Sequence, residues 1–333
     1  MKQNNVLQVL YDERLVGTLA MTADHKAAFQ YSETWLEDGF PISPFSLPLK
    51  NQVFVPNKDY FDGLFGVFAD SLPDNWGKLL LSRLLRANGE NPDNLTVLER
   101  LAIVGKSGMG ALTYYPEKEM LEKQSHIDLD ELAEQCQKLL NTEYSDKLDE
   151  LYRLGGTSGG ARPKIMTTIG GEEWIIKFPA HIDGRNAGKM EYDYSCCARQ
   201  CGITMSETRL FPSNKCEGYF GTKRFDRIAD KTGKKRIHML TAAALLELDF
   251  EQPSLDYHSL MKLTKILTRD NPEDLRNMFR RMCFNVYAHN RDDHSKNFTY
   301  LYYEEKDCWR LSPAYDLTYS NTYYGEHTTT VDG

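Results

Sequence analysis

The densest chemistry in the sequence lies in HNRDDHSKN, residues 289–297, where two histidines, two aspartates and two asparagines surround Arg291 and Lys296. Nineteen residues past Asn297, the run SPAYDL supplies Asp316. An asparagine and an aspartate can share a hard divalent cation such as magnesium, which takes oxygen ligands. Asp292 stands five positions before Asn297. Phosphoryl-transfer loops of the HRDLxxxN kind place at that interval the aspartate that accepts the proton of an attacking hydroxyl. Asp293 does not have it. Two other readings fit the loop taken alone: His289, His294 and an aspartate suit zinc or iron but leave Asp316 without a role, and the polar groups could simply line a solvated turn.

A second candidate is LGGTSGGARPKIMTTIGGEEWIIKFPA, residues 154–180. Glycines beside hydroxyl side chains let backbone N–H groups approach phosphate oxygens, and Lys177, on the strand after the Gly170-Gly171 turn, could neutralise them. This is the logic of a kinase glycine-rich loop and its strand lysine. Between Ile176 and Phe178 the ammonium needs a partner against burial. Glu191, near the start of a helix in MEYDYSCCARQCG, is within one strand-to-helix connection. By contrast VGKSGMGAL, residues 104–112, lacks the glycine that a Walker loop needs, because position 100 is arginine, and reads as a turn.

The elements that must position these groups are legible around them. NPEDLRNMFRRMCFNVYAHN starts a helix at Pro272 with acidic residues in its first turn, and Leu275, Met278, Phe279, Met282 and Val286 follow helical spacing toward a core. That helix delivers the 289–297 loop. FTYLYY and WRLSPAYDL then form an antiparallel hairpin, which sets Asn297 at its entry beside Asp316 at its exit. Upstream, short apolar segments over 6–60 suggest a small twisted sheet, and SLPDNWGKLLLSRLLRANG, residues 71–89, an amphipathic helix closed by Gly89. The organisation expected is 1–117 as a β-rich subdomain, 118–153 as a helical connector, 154–237 as a glycine-loop lobe and 238–333 as a mainly helical lobe.

Length and composition bound the rest. A chain of 333 residues, 41% hydrophobic and 26% charged, exceeds one core's usual reach. It shows neither a signal peptide nor an apolar run of membrane-spanning length, so a cytoplasmic protein is expected. Seven cysteines include no CxxC, with Cys196, Cys197 and Cys201 in one helical segment, and are expected to be reduced core residues. A net charge of −8 disfavours direct contact with nucleic acid.

Taken together, SLPDNWGK, VGKSGMGAL, TSGGARPK, IIKFP, MEYDYS, TKRFDR, RDDHSKN and AYDL make essentially the whole chain resemble the HipA family of bacterial serine/threonine protein kinases, the toxin halves of HipBA pairs. The resemblance implies an α+β, bilobal protein-kinase-like fold with an N-terminal β-rich subdomain. It implies that Gly159, Gly160, Ala161, Arg162, Pro163 and Lys164 cover the phosphates of ATP, with Lys177 touching them and Glu191 behind it. Lys223, Arg224 and Phe225 would join the lobes near adenine. Asp292 would be the catalytic base, His294, Ser295, Lys296 and Tyr315 would line the nucleotide site, and Asn297 and Asp316 would bind Mg2+. Thr157 and Ser158 match the place where such kinases phosphorylate their own glycine-rich loop.

Implied partners are a HipB-like helix-turn-helix antitoxin, through which alone DNA would be reached, and a protein substrate of the aminoacyl-tRNA synthetase kind. A different reading of the same residues is a non-catalytic nucleotide-binding scaffold in a repressor complex. The sequence ends at TTTVDG, where relatives continue into further helices, so an incomplete second lobe is expected.

Overall fold

The computed structural model describes residues 5–118, 128–180, 183–230, 233–252, 254–321 and 325–332. Part of the expected connector, 119–127, and Gly333 lie outside them. The chain opens with β1 (Val6–Tyr11), β2 (Arg14–Met21) and β3 (Ala27–Tyr31). Asp12 and Glu13, both at positive φ, make the two-residue turn between the first two strands, the geometry that matches strand twist. There follow α1 (Glu33–Asp38), α2 (Gly66–Ala69), α3 (Asn75–Ala87) and α4 (Val97–Val104), the last begun by a Thr96–Glu99 capping box. Then β4 (Leu112–Tyr115) completes an antiparallel sheet in the order β3-β2-β1-β4.

Helices α5 (Leu129–Leu140) and α6 (Leu148–Gly155) lead into the second sheet. Its hairpin of β5 (Lys164–Ile169) and β6 (Glu172–Lys177) turns on Gly170 and Gly171, at φ 62° and 85°, a conformation glycine adopts freely. After α7 (Ala187–Gln200), β7 (Thr208–Phe211) and β8 (Tyr219–Lys223) finish the order β5-β6-β8-β7. A short ribbon of β9 (Arg227–Asp230) and β10 (Gly233–Arg236) precedes β11 (His238–Thr241). Helices α8 (Ala242–Leu246), α9 (Tyr257–Leu267) and α10 (Pro272–Tyr287) follow, and β12 (Thr299–Tyr303) and β13 (Cys308–Leu311) close a sheet ordered β11-β12-β13.

The N-terminal strands do not close a core of their own. Leu7, Val9, Phe29 and Phe40 share one core with Leu240, Tyr300, Tyr302 and Trp309 of the last sheet, and the rings of Phe40 and Tyr302 lie 4.1 Å apart. Separating them would expose side chains worth about 1.5–3 kcal/mol each when buried, a large part of a domain's whole stability. Gly66 of α2 seals the seam: a Cβ there would stand 2.5 Å from the Ala244 backbone. Helix α3 goes the other way. Its Trp76, Leu80 and Leu84 form a second core with Leu151 and Leu154 of α6 and Ile165, Trp174 and Ile176 of the glycine-loop lobe.

Two expectations from periodicity are corrected. On α10 the buried face is Asp274, Asn277, Met278, Arg281, Phe284 and Asn285, whereas Phe279 is 53% exposed. This helix is held by hydrogen bonds as much as by apolar contact, with Asn277 on Thr204 and Arg281 on the Ser312 carbonyl. Of the cysteines only Cys136 is fully buried; Cys197 on α7 and Cys201 just past its end are exposed. No helix among the described residues is long and apolar enough to cross a membrane.

Candidate active site

Between the two cores lies a cleft of about 470 Å³. Lys177, the last residue of β6, reaches it with its ammonium 2.6 Å from Glu191 Oε1 and in direct contact with the Asp316 carboxylate. Glu191 is almost fully buried on α7, so its charge is unscreened by water. Burial alone would lower the Lys177 ammonium, but Asp316 and Glu191 push it up. Burial would likewise raise the Asp316 carboxyl, yet Lys177 and Lys164 hold it well below the usual carboxylate range. Both groups are therefore charged at neutral pH.

The hairpin mouth is clamped by Tyr315, whose hydroxyl donates to the Lys296 carbonyl at 2.5 Å and meets Thr299 Oγ1 at 2.6 Å. Asn297 and Asp316 consequently face the same cleft. Asn297 Nδ2 donates to the Asp292 carbonyl at 2.6 Å, which leaves Oδ1 as the amide's acceptor atom. With the second oxygen of Asp316 this is a donor set that fits a hard cation. Asp316 itself sits at φ 53°, a left-handed conformation that a short polar side chain tolerates.

The two aspartates of the loop separate. Asp292 lines the cleft with a side chain 63% exposed and His294 Nε2 at 3.8 Å. Asp293 is fully buried and accepts from Tyr257 Oη at 2.7 Å and the N–H groups of Thr328 and Thr329 at 2.9 and 3.1 Å, with His327 Nδ1 at 3.1 Å. His289 points to solvent. Among the described residues no three His, Cys, Asp or Glu side chains converge, so the imidazole-metal alternative has no ligand set.

The glycine-rich segment 157–164 roofs the cleft, with Gly159, Gly160, Ala161, Arg162 and Lys164 on its wall; Pro163 and Ser295 are not on it. Lys164 is buried and donates to Gly159 O at 2.5 Å. The Thr157 and Ser158 hydroxyls turn inward, donating to Ser107 O at 3.1 Å and Gly155 O at 2.6 Å. Lys223 pairs with Glu172, and Phe225 packs on Tyr315 with ring centroids 5.5 Å apart.

Arg224 lies on the wall, but its guanidinium is already matched by Asp226 at 2.7 Å and Glu173 at 3.7 Å. Asp226 also takes Arg227 and Gly110 N–H; against its burial, Arg224 first and then these two draw its carboxyl down to about 2. Arg227 and Arg236 donate to Gly108 and Gly110 carbonyls. The GKSGMG turn thus presents carbonyl oxygens to arginines, the reverse of a phosphate loop.

Sequence reasoning missed a third contributor, DSLPDNWGK at residues 70–78. Asp70 and Asp74 line the cleft, and Asp74 bonds both Gly160 N–H at 2.8 Å and Lys296 Nζ at 2.5 Å. Asp74 had a signal, an aspartate directly before a helix, but that pattern assigns its carboxylate to capping its own helix.

Residues 7–115 match the model of the HipA N-terminal domain, and residues 156–333 that of the HipA-like C-terminal domain. Two relatives from Sinorhizobium fredii carry the names "Putative kinase Y4mE", 26% identical over 94% of this chain and 76% of that protein, and "Putative kinase Y4dM", 24% identical over 100% and 81%. The fold is that of HipA of Shewanella oneidensis MR-1, solved with HipB and its operator DNA: the TM-score is 0.69 at 19% identity, covering 97% of this chain and 78% of that one. Since the two domain models together take in both the N-terminal sheet and the cleft-bearing part of the molecule, the chain belongs to the HipA family.

Proposed function

We propose that the protein is an ATP- and Mg2+-dependent serine/threonine protein kinase acting as a HipA-like toxin. The observation that carries this reading is Lys177 gripping Glu191 and Asp316 at once, under a glycine-rich roof and facing Asn297 and Asp292. Phe225 and Tyr315 offer an aromatic wall to a flat base. Lys177 leaves Asp316 for phosphate oxygens, and Asp316 with Asn297 Oδ1 would hold the metal, which when bound offsets charge on the phosphates. Asp292 takes the proton of a serine or threonine hydroxyl as its oxygen bonds the γ-phosphorus and the bond to ADP breaks.

Autophosphorylation at Thr157 or Ser158 requires the roof to swing out, because both hydroxyls are buried. A phosphate of roughly −1.5 to −2 charge would keep it out and shut the enzyme off. The antitoxin would be a HipB-like helix-turn-helix protein, as HipB accompanies the similar Shewanella structure, and the substrate a protein of the aminoacyl-tRNA synthetase kind. The test is incubation with labelled ATP and Mg2+, wild type beside Asp316→Asn, with mass spectrometry of the products. Phosphorylated sites should appear and fall about 10²–10³-fold in the variant; equal labelling, or none by wild type, overturns the reading.

A further inference from the structure

Resting on that reading, we propose that Asp74 is a positioning residue for phosphoryl transfer: from the N-terminal unit it pins the glycine-rich loop to the catalytic loop, and so sets nucleotide affinity. Asp74 is the N-cap residue of α3, yet its side chain makes no capping hydrogen bond. Such a cap is ordinarily worth about 1 kcal/mol. Instead the carboxylate spans the cleft, with Oδ2 on Gly160 N–H and Oδ1 on Lys296 Nζ, and both side chains of the ion pair are largely buried.

The clasp is reciprocal. Trp76 N–H, at the start of α3, donates to Gly160 O at 3.3 Å, and Trp76 Nε1 donates to Lys164 O at 3.1 Å. One residue of the roof, Gly160, is therefore gripped through its N–H by Asp74 and through its C=O by the helix. Glycine suits this place because it sits at φ 83°, a left-handed conformation that other side chains rarely adopt. Gly77 lets the helix come close enough, a Cβ there standing 2.6 Å from Gly156 O.

The carboxylate stays ionised: burial would raise it, but Lys296 and Lys164 hold it low. Lys296 is braced on its other side by the Phe250 ring, 4.5 Å from Nζ. The roof and Lys296 are thus fixed relative to one another before a nucleotide arrives, which removes part of the ordering cost of binding.

The test uses the full chain and the variants Asp74→Asn, Asp74→Glu and Lys296→Gln. In the nucleotide-free protein, hydrogen exchange of amides 157–162 should quicken about tenfold in Asp74→Asn while β12 is unchanged. Calorimetric affinity for Mg-ATP should weaken about tenfold, KM should rise in step, and kcat should change less than threefold. The double variant should be no worse than the worse single one, and Asp74→Glu should recover part of the affinity. A merely structural Asp74 would lower Tm and leave KM alone, which overturns the proposal; so does unchanged exchange, or ATP binding as tight as or tighter than wild type, the sign of a carboxylate occupying the phosphate's seat. Should Asp74→Asn not fold, Lys296→Gln severs the same link from the other side. Exchange is read without phosphate transfer, so a wild type that binds no ATP sinks the kinase reading while the pin is still judged by exchange.

Discussion

Asp292 and Asp293 are consecutive, yet one carboxylate faces the cleft and the other is sealed beneath it by four donors. The pair should therefore divide kinetics from stability. Asp292→Ala is expected to lower kcat by about 10²–10⁴, the worth of a general base, with Tm near wild type. Asp293→Ala leaves the Tyr257 O–H donor and two backbone N–H groups without an acceptor, at about 1–3 kcal/mol each. It should lower Tm by many degrees before any kinetic effect is measured. Thermal melts beside initial rates check both.

Glu191 and Asp316 share Lys177, so they are not equivalent to it. Glu191→Gln keeps the shape and leaves Lys177 its contact with Asp316; activity should fall about 10²-fold with little loss of stability. Lys177→Met instead strands two carboxylates and should cost about 3–5 kcal/mol, as breaking a buried pair does. Denaturant melts of the two variants, compared with their rates, give the order.

The seam between the N-terminal sheet and the last sheet carries a pH dependence. His238 is buried and donates from Nε2 to Ile42 O at 2.7 Å, and burial pushes its pKa down to about 4. In the unfolded chain the ring takes a proton near pH 6.5. Its contribution is therefore complete above about 6.5 and lost as pH falls toward 4, by about 3 kcal/mol in all. His238→Gln, which can still donate to Ile42 O, should show a flatter fall of Tm between pH 7 and pH 5 than wild type.

Much of the site was legible because its signals are local. Glycines at a two-residue turn, a lysine closing the next strand, and Pro272 after Asn271 at the head of α10 each dictate their own conformation. The Lys177–Glu191 pair followed from the need of a buried ammonium for a partner. What escaped is set by contacts far apart in sequence. Asp74 obeys the N-cap rule in type and breaks it in use, because Gly160 and Lys296 compete for the same oxygens. The face of α10 misled because its buried Asn277, Asn285 and Arg281 are placed by hydrogen bonds, which hydrophobic spacing does not register. The shared core of Phe40 and Tyr302 has no signature in either segment.

That shared core governs how such a chain can be rearranged. Because the first strands pack on the last sheet while α3 packs on the lobe between, the opening 117 residues touch both neighbours and form no interchangeable cassette. A chimera that takes this stretch from a relative must import its partners Leu240, Tyr300, Tyr302 and Trp309 with it, or inherit a crevice lined with mismatched rings.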